Sequence, residues 1–196
     1  MTALPGRLAF LREIDKLKAI ARQTRVTFDP ARRENDAEHS WHLAIMAVVL
    51  ADYGPRELDL LHVLRMVLVH DLVEIDAGDT FIYDDAHAAS QADREQRAAD
   101  RIFGMLDVPM RDELRAAWDE FEANRTPSAQ FARAIDRVQP ILQNYYTDGA
   151  SWRAHGIAAP QVRAKNGPLV ELGAPALWAH VDALIDDAVT RGWLKP

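Results

Sequence analysis

The stretch Leu60–Thr80, LLHVLRMVLVHDLVEIDAGDT, decides how the rest of the chain is read. From Leu60 to Val69 it is apolar apart from His62 and Arg65. Such a segment is buried, because holding so much Leu and Val surface in water forfeits the free energy of burial. At His70 its character changes, and Asp71, Glu74, Asp76 and Asp79 follow within ten positions. Carboxylates and an imidazole at the end of a buried helix are costly to desolvate without a counter-charge. No Lys or Arg lies nearer in sequence than Arg65, so a bound cation is the economical partner. Imidazole together with carboxylate suits a divalent transition metal, and the stretch therefore reads as half of a metal site.

Working outward, the remaining segments read as helices. Leu8, Leu11, Ile14, Leu17 and Ile20 recur at every third position, which reads as an amphipathic first helix ending near Arg22. Gln23–Arg33 reads as a basic loop, since Asp29 precedes Pro30 and a residue before proline avoids the helical region. Asn35 or Asp36 caps the next helix, with Glu38 placed for a capping box, and that helix runs apolar to Gly54–Pro55. After the central stretch, Asp76–Ala86 reads as loop and Ala88–Leu106 as a charged helix with an apolar line through Ala92, Ala99, Ile102, Phe103 and Leu106. Another helix opens at Pro109 and ends near Asn124. Ser128–Tyr146 carries the inward stripe Phe131, Ile135, Val138, Ile141, Leu142 and Tyr145. Gly149–Gly173 is the least regular part, and Ala174–Trp193 closes the chain as an amphipathic helix. No strand alternation or hairpin signal stands out, so the expected fold is all-α, a bundle of about six or seven helices. Residues 1–196 are expected to form one domain, with a metal-site core over about 8–148 and a helical extension over about 149–196.

Composition sets outer limits. The 196 residues carry a net charge of −7, which argues against a broad basic surface for duplex nucleic acid. There is no cysteine, so thiolate chemistry is excluded and any metal is held by His, Asp and Glu. The N-terminal stretch has no secretory apolar core and no run suits a membrane span, which points to a cytoplasmic protein.

The metal-ligand candidates are His39 at the polar start of its helix, the adjacent His70 and Asp71, and Asp136 on the shoulder of the Phe131–Tyr145 stripe. Asp136 is a plausible fourth ligand, while His42, one turn after His39, suits packing or a supporting bond better than ligation. Asp76 is left as a loop acid, Glu95 could approach the site from its helix but is read first as a surface ion-pair residue beside Arg94, and Asp84–Asp85 and Asp186–Asp187 are read as solvated surface. His155, Trp152 and Trp178 need no more than packing or a subunit contact, and His62, His87 and His180 carry no signal.

The order ENDAEHSWH (34–42), VLVHDLVEIDAGDT (67–80) and ARAIDRVQ (132–139) resembles the HD superfamily of metal-dependent phosphohydrolases, and within it the 5′-deoxynucleotidase branch. The resemblance implies an all-α HD-type fold and one divalent ion (Mn, Co, Fe, Zn or Mg) held by His39, His70, Asp71 and Asp136. It further implies that Glu74 orients a water or acts as general base, that Asp79 protonates the leaving 5′-oxygen or orients the sugar, and that Arg22 clamps the 5′-phosphate. Arg25, Arg32 and Arg33 are spare candidates for that clamp, and Arg22 at a helix C-terminus also has a purely electrostatic explanation. The implied activity is hydrolysis of (deoxy)nucleoside 5′-monophosphates by a homodimer. Hydrolysis of another small phosphoester (cyclic dinucleotide, alarmone or sugar phosphate) and a non-catalytic nucleotide-binding domain are the competing readings.

Overall fold

A computed structural model describes residues 3–84 and 91–196. The fold is all-α with one small hairpin. In chain order the elements are α1 (Leu4–Ile14), β1 (Ala21–Val26), β2 (Asp29–Asn35), α2 (Asp36–Val49), α3 (Leu60–Val69) and α4 (Glu74–Ala77). They continue with α5 (Gln91–Phe103), α6 (Val108–Ala123), α7 (Pro127–Tyr146), α8 (Ala150–His155), α9 (Ala159–Gly173) and α10 (Pro175–Thr190).

Local chemistry explains most boundaries. Asn35 caps α2: its side chain accepts from Glu38 N–H at 3.0 Å, and the Glu38 carboxylate takes the Asn35 N–H at 3.2 Å, the reciprocal arrangement of a capping box. Asp59 caps α3 by accepting from His62 N–H at 3.1 Å, and Thr126 caps α7 by accepting from Ala129 N–H at 3.2 Å. Asn124 ends α6 in the left-handed region at φ 51°. The charged helix begins at Gln91 among the described residues; its expected start at Ala88, together with Asp85 and His87, lies outside them.

Three expectations are corrected. The Gln23–Arg33 segment is not a loop but most of an antiparallel hairpin, with Ala21 opposite Asn35, Arg25 opposite Arg33 and Val26 opposite Asp29. The turn residues Thr27 and Phe28 lack the Asn-Gly chemistry that announces a hairpin, and the register is irregular, so no two-residue alternation shows. The first helix stops at Ile14, a 3₁₀ turn covers Asp15–Ala19, and Arg22 is the second residue of β1. Third-position spacing slips about 60° per step around an α-helix, so Leu8 through Ile20 is no single face. Leu8 and Leu11 are exposed, while Phe10 and Leu17 are buried.

The third correction concerns Gly149–Gly173, which is helical as α8 and α9 despite Pro168 inside α9. Proline costs an internal helical hydrogen bond, and tertiary packing offsets that loss. Val162, Asn166, Gly167 and Val170 are buried in α9, and a Cβ on Gly167 would come within 2.9 Å of the Trp178 ring. At the end of α9, a Cβ on Gly173 would come within 2.0 Å of the Gln130 carbonyl oxygen of α7. Gly173→Ala is therefore expected to lower stability by about 1–3 kcal/mol through overpacking, read as a lower midpoint in thermal unfolding. An unchanged midpoint would show that the two helices can separate without cost.

α7 is the centre of the packing. Its Phe131, Ile135, Val138 and Ile141 are buried as the stripe foretold, with Leu142 and Tyr145 only half-buried. α2, α3 and α6 pack on one side of it, and α9 and α10 on the other. Among the described residues no helix is long and apolar enough to cross a membrane.

Candidate metal centre

Helix α3, expected to be buried along its length, buries Val63, Met66, Val67 and Val69 but leaves Leu61 and Leu68 exposed, and it does not run on through the acidic segment. At His70 it tightens into a 3₁₀ turn, His70–Val73, with all four residues buried. The His70 ring turns back along the helix, and its Nδ1–H donates to the Val67 carbonyl at 2.9 Å. A carbonyl only accepts, so Nδ1 keeps its proton, and Nε2 is the nitrogen turned toward the site. The Trp118 indole N–H donates to the His70 carbonyl at 3.1 Å, and the ring lies 4.8 Å from Phe121, which holds the turn against α6.

His39 is fixed by a longer relay. Gln139, one turn beyond Asp136 on α7, donates its amide to the Glu34 carboxylate at 2.7 Å, so its oxygen faces His39 and accepts from Nδ1–H at 3.2 Å. Glu34 also accepts from Gln143 at 2.6 Å and from the Thr24 hydroxyl at 3.3 Å. His39 thereby presents Nε2 to Asp136 Oδ1 at 3.0 Å. His70 Nε2 lies 3.8 Å from that same oxygen and 3.0 Å from Asp71 Oδ1, yet it has no hydrogen-bond partner and is buried. Two imidazoles whose Nδ1–H groups are held elsewhere and whose Nε2 atoms converge on carboxylates match the chemistry of a divalent-cation site. His39, His70 and Asp136 offer ligand atoms that lie within 4.8 Å of one another, and Asp36, Asp71 and Glu74 form a second such group beside them.

The surrounding charge is unbalanced. Arg22 reaches in from β1, donating to Asp71 Oδ2 at 2.9 Å and Asp36 Oδ1 at 3.2 Å, with Glu34 at 3.8 Å. Burial opposes the Arg22 charge, but Asp71, Glu74, Asp79 and Asp36 outweigh it and raise its pKa. Burial likewise opposes charge on His70, but Asp71 and Asp136 outweigh it and raise its pKa to about 10. Asp71 stays below its ordinary value against its own burial because His70 and Arg22 stabilise the anion, and Asp136 does so through His39 and His70. The remaining acids are pushed the other way. Burial, then the Asp71 charge, raises Asp36 to about 7 and Glu74 well above the ordinary carboxylate value. Burial also raises Asp79, against the pull of Arg22. Protein cations leave these carboxylates under-neutralised, and a divalent ion would complete the balance.

The site opens into a pocket of ≈ 390 Å³ lined by Arg22, Glu74, Asp79, Arg137, the aromatic side chains of Phe81, Tyr83 and Trp152, and others. The expected ligands His39, His70, Asp71 and Asp136 are thus brought together, with Glu74, Asp79 and Arg22 beside them. The electrostatic explanation for Arg22 as a helix-end residue falls away, because no helix ends there. Arg25, Arg32 and Arg33 do not line the pocket; Arg25 donates to the Ala31 carbonyl at 3.1 Å and Arg32 pairs with Glu38 at 2.8 Å. Asp76 is paired to Arg101, as befits an acid outside the cluster. Glu95 lines the pocket and accepts from Gln91 at 2.7 Å, so the second of its two readings, approach to the site, holds over the favoured surface ion pair. Trp152 is also a pocket residue, and His155 stacks on Phe81 with centroids 4.5 Å apart. His42 is a supporting residue, with Nδ1 3.2 Å from the Gln139 amide. Asp186 is an exposed surface acid, as expected, paired with Arg163 at 2.7 Å, while half-buried Asp187 accepts from the Tyr145 hydroxyl at 2.6 Å.

Glu34, Asp36 and Gln139 were missed by sequence reasoning. Gln139 was findable, since it lies three residues after Asp136 and so on the same helical face. If Gln139 holds the His39 tautomer, Gln139→Leu should weaken divalent-ion binding by about 10–100-fold, as loss of an outer partner commonly does. Chelator competition measures this directly, and an unchanged affinity would remove Gln139 from the site.

Comparison with known proteins follows the same geometry. The HD domain sequence profile matches residues 14–178, which include every residue of the cluster. Human 5′-deoxynucleotidase HDDC2 is 32% identical over 136 residues, covering 69% of this chain and 65% of the human protein, so the match spans slightly under two thirds of that relative. The mouse protein of the same name is 31% identical over 138 residues, covering 70% and 68% of the two chains. The crystal structure of a "predicted metal-dependent phosphohydrolase" from Magnetospirillum magnetotacticum MS-1 superposes with TM-score 0.94 at 48% identity, covering 99% of this chain and 96% of that one. PH0347 protein from Pyrococcus horikoshii OT3 shares the fold at TM-score 0.58 and 24% identity. With a profile match that runs from α1 through the buried His and Asp cluster into α10, the chain belongs to the HD domain family.

Proposed function

We propose that this protein is a metal-dependent phosphohydrolase that converts (deoxy)nucleoside 5′-monophosphates to nucleoside and phosphate. The observation that carries the reading is the convergence of His39, His70, Asp71 and Asp136, with His70 Nε2 buried and unpartnered, at the wall of a pocket sized for a small molecule. The names of the human and mouse relatives and of the Magnetospirillum protein support the same chemistry.

In this reading His39, His70, Asp71 and Asp136 hold one divalent ion, which when bound supplies Lewis acidity and neutralises charge on the phosphoryl group. Glu74 faces the same pocket beside Asp71, a position suited to orienting a water or taking its proton. Asp79, its pKa raised by burial, is placed to give a proton to the leaving 5′-oxygen or to orient the sugar. Arg22 holds Asp71 and Asp36 through Nη1 and has further N–H groups for a phosphate oxygen. Phe81, Tyr83 and Trp152 offer flat apolar surface to a sugar and base.

The test is phosphate release from ribo- and deoxyribonucleoside 5′-monophosphates after chelation and resupply of Co²⁺, Mn²⁺ or Mg²⁺. Release should return with metal, and the panel should rank sugar and base. Folded protein that binds the ion but frees no phosphate from any member would overturn the nucleotidase reading.

We further propose a homodimer that takes small nucleotides and leaves duplex nucleic acid unbound, in keeping with the acidic net charge of −7. Trp41, Ile45, Val48 and Val49 form an exposed apolar row on α2, which a second copy would cover. Sedimentation equilibrium at micromolar concentration should give twice the 22.0 kDa chain mass; a monomer mass would exclude this.

A further inference from the structure

Three arginines line the pocket, Arg22, Arg133 and Arg137, and they are not equivalent. Arg22 is committed to Asp71 and Asp36. Arg133 is forked onto Glu122 at 3.3 and 3.5 Å and lies over the Phe121 ring at 4.7 Å. Arg137, one turn further along α7, is held differently. Its ion pair among the described residues is with Asp136 Oδ2 at 3.6 Å, longer than a charge-assisted hydrogen bond of about 2.7–2.9 Å. The Nε atoms of all three arginines are buried without a hydrogen-bond partner, but Arg22 and Arg133 bond carboxylates through Nη atoms, whereas Arg137 makes no hydrogen bond through any nitrogen among the described residues.

A guanidinium on the pocket wall with no hydrogen-bonded carboxylate has donors free for a ligand that brings acceptors. The position makes that ligand an anion beside the metal cluster. Asp136 turns Oδ1 toward His39 and His70 and Oδ2 toward Arg137, so an anion bound by Arg137 sits next to the ligand set, on the α7 side of the pocket. Arg22 approaches the same cluster from β1, through Asp71. We propose that Arg137 is a substrate-binding residue that takes the phosphoryl group of the substrate, from the wall formed by α7. This rests on the phosphohydrolase reading for the identity of the anion. The planar fork of arginine suits two phosphoryl oxygens, which lysine, a point charge, serves less well.

The alternative is that Arg137 is only a counter-charge for Asp136, and the two roles separate experimentally. Inorganic phosphate is the probe, added to metal-loaded wild type, Arg137→Gln and Arg137→Lys, with binding followed by the fluorescence of Trp152 in the pocket wall and by calorimetry. Divalent-ion affinity is measured in parallel by chelator competition. Arg137→Gln should weaken phosphate about tenfold or more and Arg137→Lys by a smaller factor, both with metal affinity unchanged within about twofold. For nucleotide hydrolysis the loss should appear mainly in KM. Unchanged phosphate affinity in Arg137→Gln overturns the proposal, as does metal affinity that falls in step with it, or a wild type that binds no phosphate. Should Arg137→Gln fold poorly, Arg137→Lys preserves charge and near-length and still reports the loss of the fork. A wild type that binds phosphate through Arg137 yet hydrolyses no nucleotide would refute the nucleotidase reading and leave this assignment standing.

Discussion

Asp71→Ala is expected to lose both divalent-ion binding and hydrolysis. Asp71 is buried, lies 3.0 Å from His70 Nε2 and 3.9 Å from His39 Nε2, and accepts from Arg22 at 2.9 Å. Removing it deletes one proposed ligand and frees Arg22 to swing onto Asp36 and Glu34. Loss of an outer partner costs about 10–100-fold in affinity, so loss of a direct ligand should cost at least about 100-fold. Turnover should fall by about 10²–10³ or more, the cost of removing a preorganised electrostatic group from a reaction centre. The effect on the metal-free fold should be much smaller, because two opposing changes meet. Arg22 loses one of its two hydrogen-bonded carboxylates, while Glu74 and Asp36 are relieved of a like charge that raises both. Metal-induced stabilisation separates the states. At an ion concentration of about 100 Kd the wild type gains about 2.7 kcal/mol. For a domain of this size that is a rise in Tm of about 5–11 °C. Asp71→Ala should show no such rise at the same concentration. A variant that keeps both the thermal shift and turnover would remove Asp71 from the metal site.

Trp118→Ala should give the largest loss of stability in the chain. Trp118 is 1% exposed and packs α6 against the turn that carries His70. Truncating a fully buried tryptophan costs about 3–5 kcal/mol in lost burial and cavity formation. The Tm should therefore fall by about 6–20 °C. Trp118→Phe separates packing from the hydrogen bond, because it keeps most of the apolar ring and removes the indole donor to the His70 carbonyl. That bond is worth about 0.5–1.5 kcal/mol. A weaker metal site in Trp118→Phe, with the fold intact, would show that the indole also positions the 3₁₀ turn. A fall of less than about 2 °C in Trp118→Ala would mean that α3 and α6 are held together by other contacts.

What could be read from the sequence about the site was the order of its four candidate ligands. His39, His70, Asp71 and Asp136 sit in helices whose patterns are local, and their place relative to the apolar stripes put each at the edge of the core. Glu74 and Asp79 follow His70–Asp71 closely enough that any compact turn brings them near. The residues that were not read, Glu34, Asp36 and Gln139, gain their roles from partners far away in sequence. Gln139 meets Glu34 across 105 positions and His39 across 100. Glu95 was read only as the less favoured alternative, because its own segment has the pattern of a charged surface helix yet turns one edge into the pocket.

By itself the sequence determined the all-α class, the start of α2 at an Asn35 or Asp36 cap with Glu38 in a capping box, the apolar α3 and the inward stripe of α7, because helical periodicity and capping act within a few residues. Only the tertiary structure decided what neutralises the acids after His70. No cation stands near them in the chain, yet Arg22 arrives from 49 positions away on a hairpin whose turn residues do not announce it. Tertiary packing likewise carried a helix through Pro168, where the contacts of Gly167 and Gly173 outweigh the lost backbone bond. It also left Arg137, unlike Arg22 and Arg133, without a hydrogen bond among the described residues. Charge pairing and close packing depend on which surfaces meet, and local sequence does not contain that information.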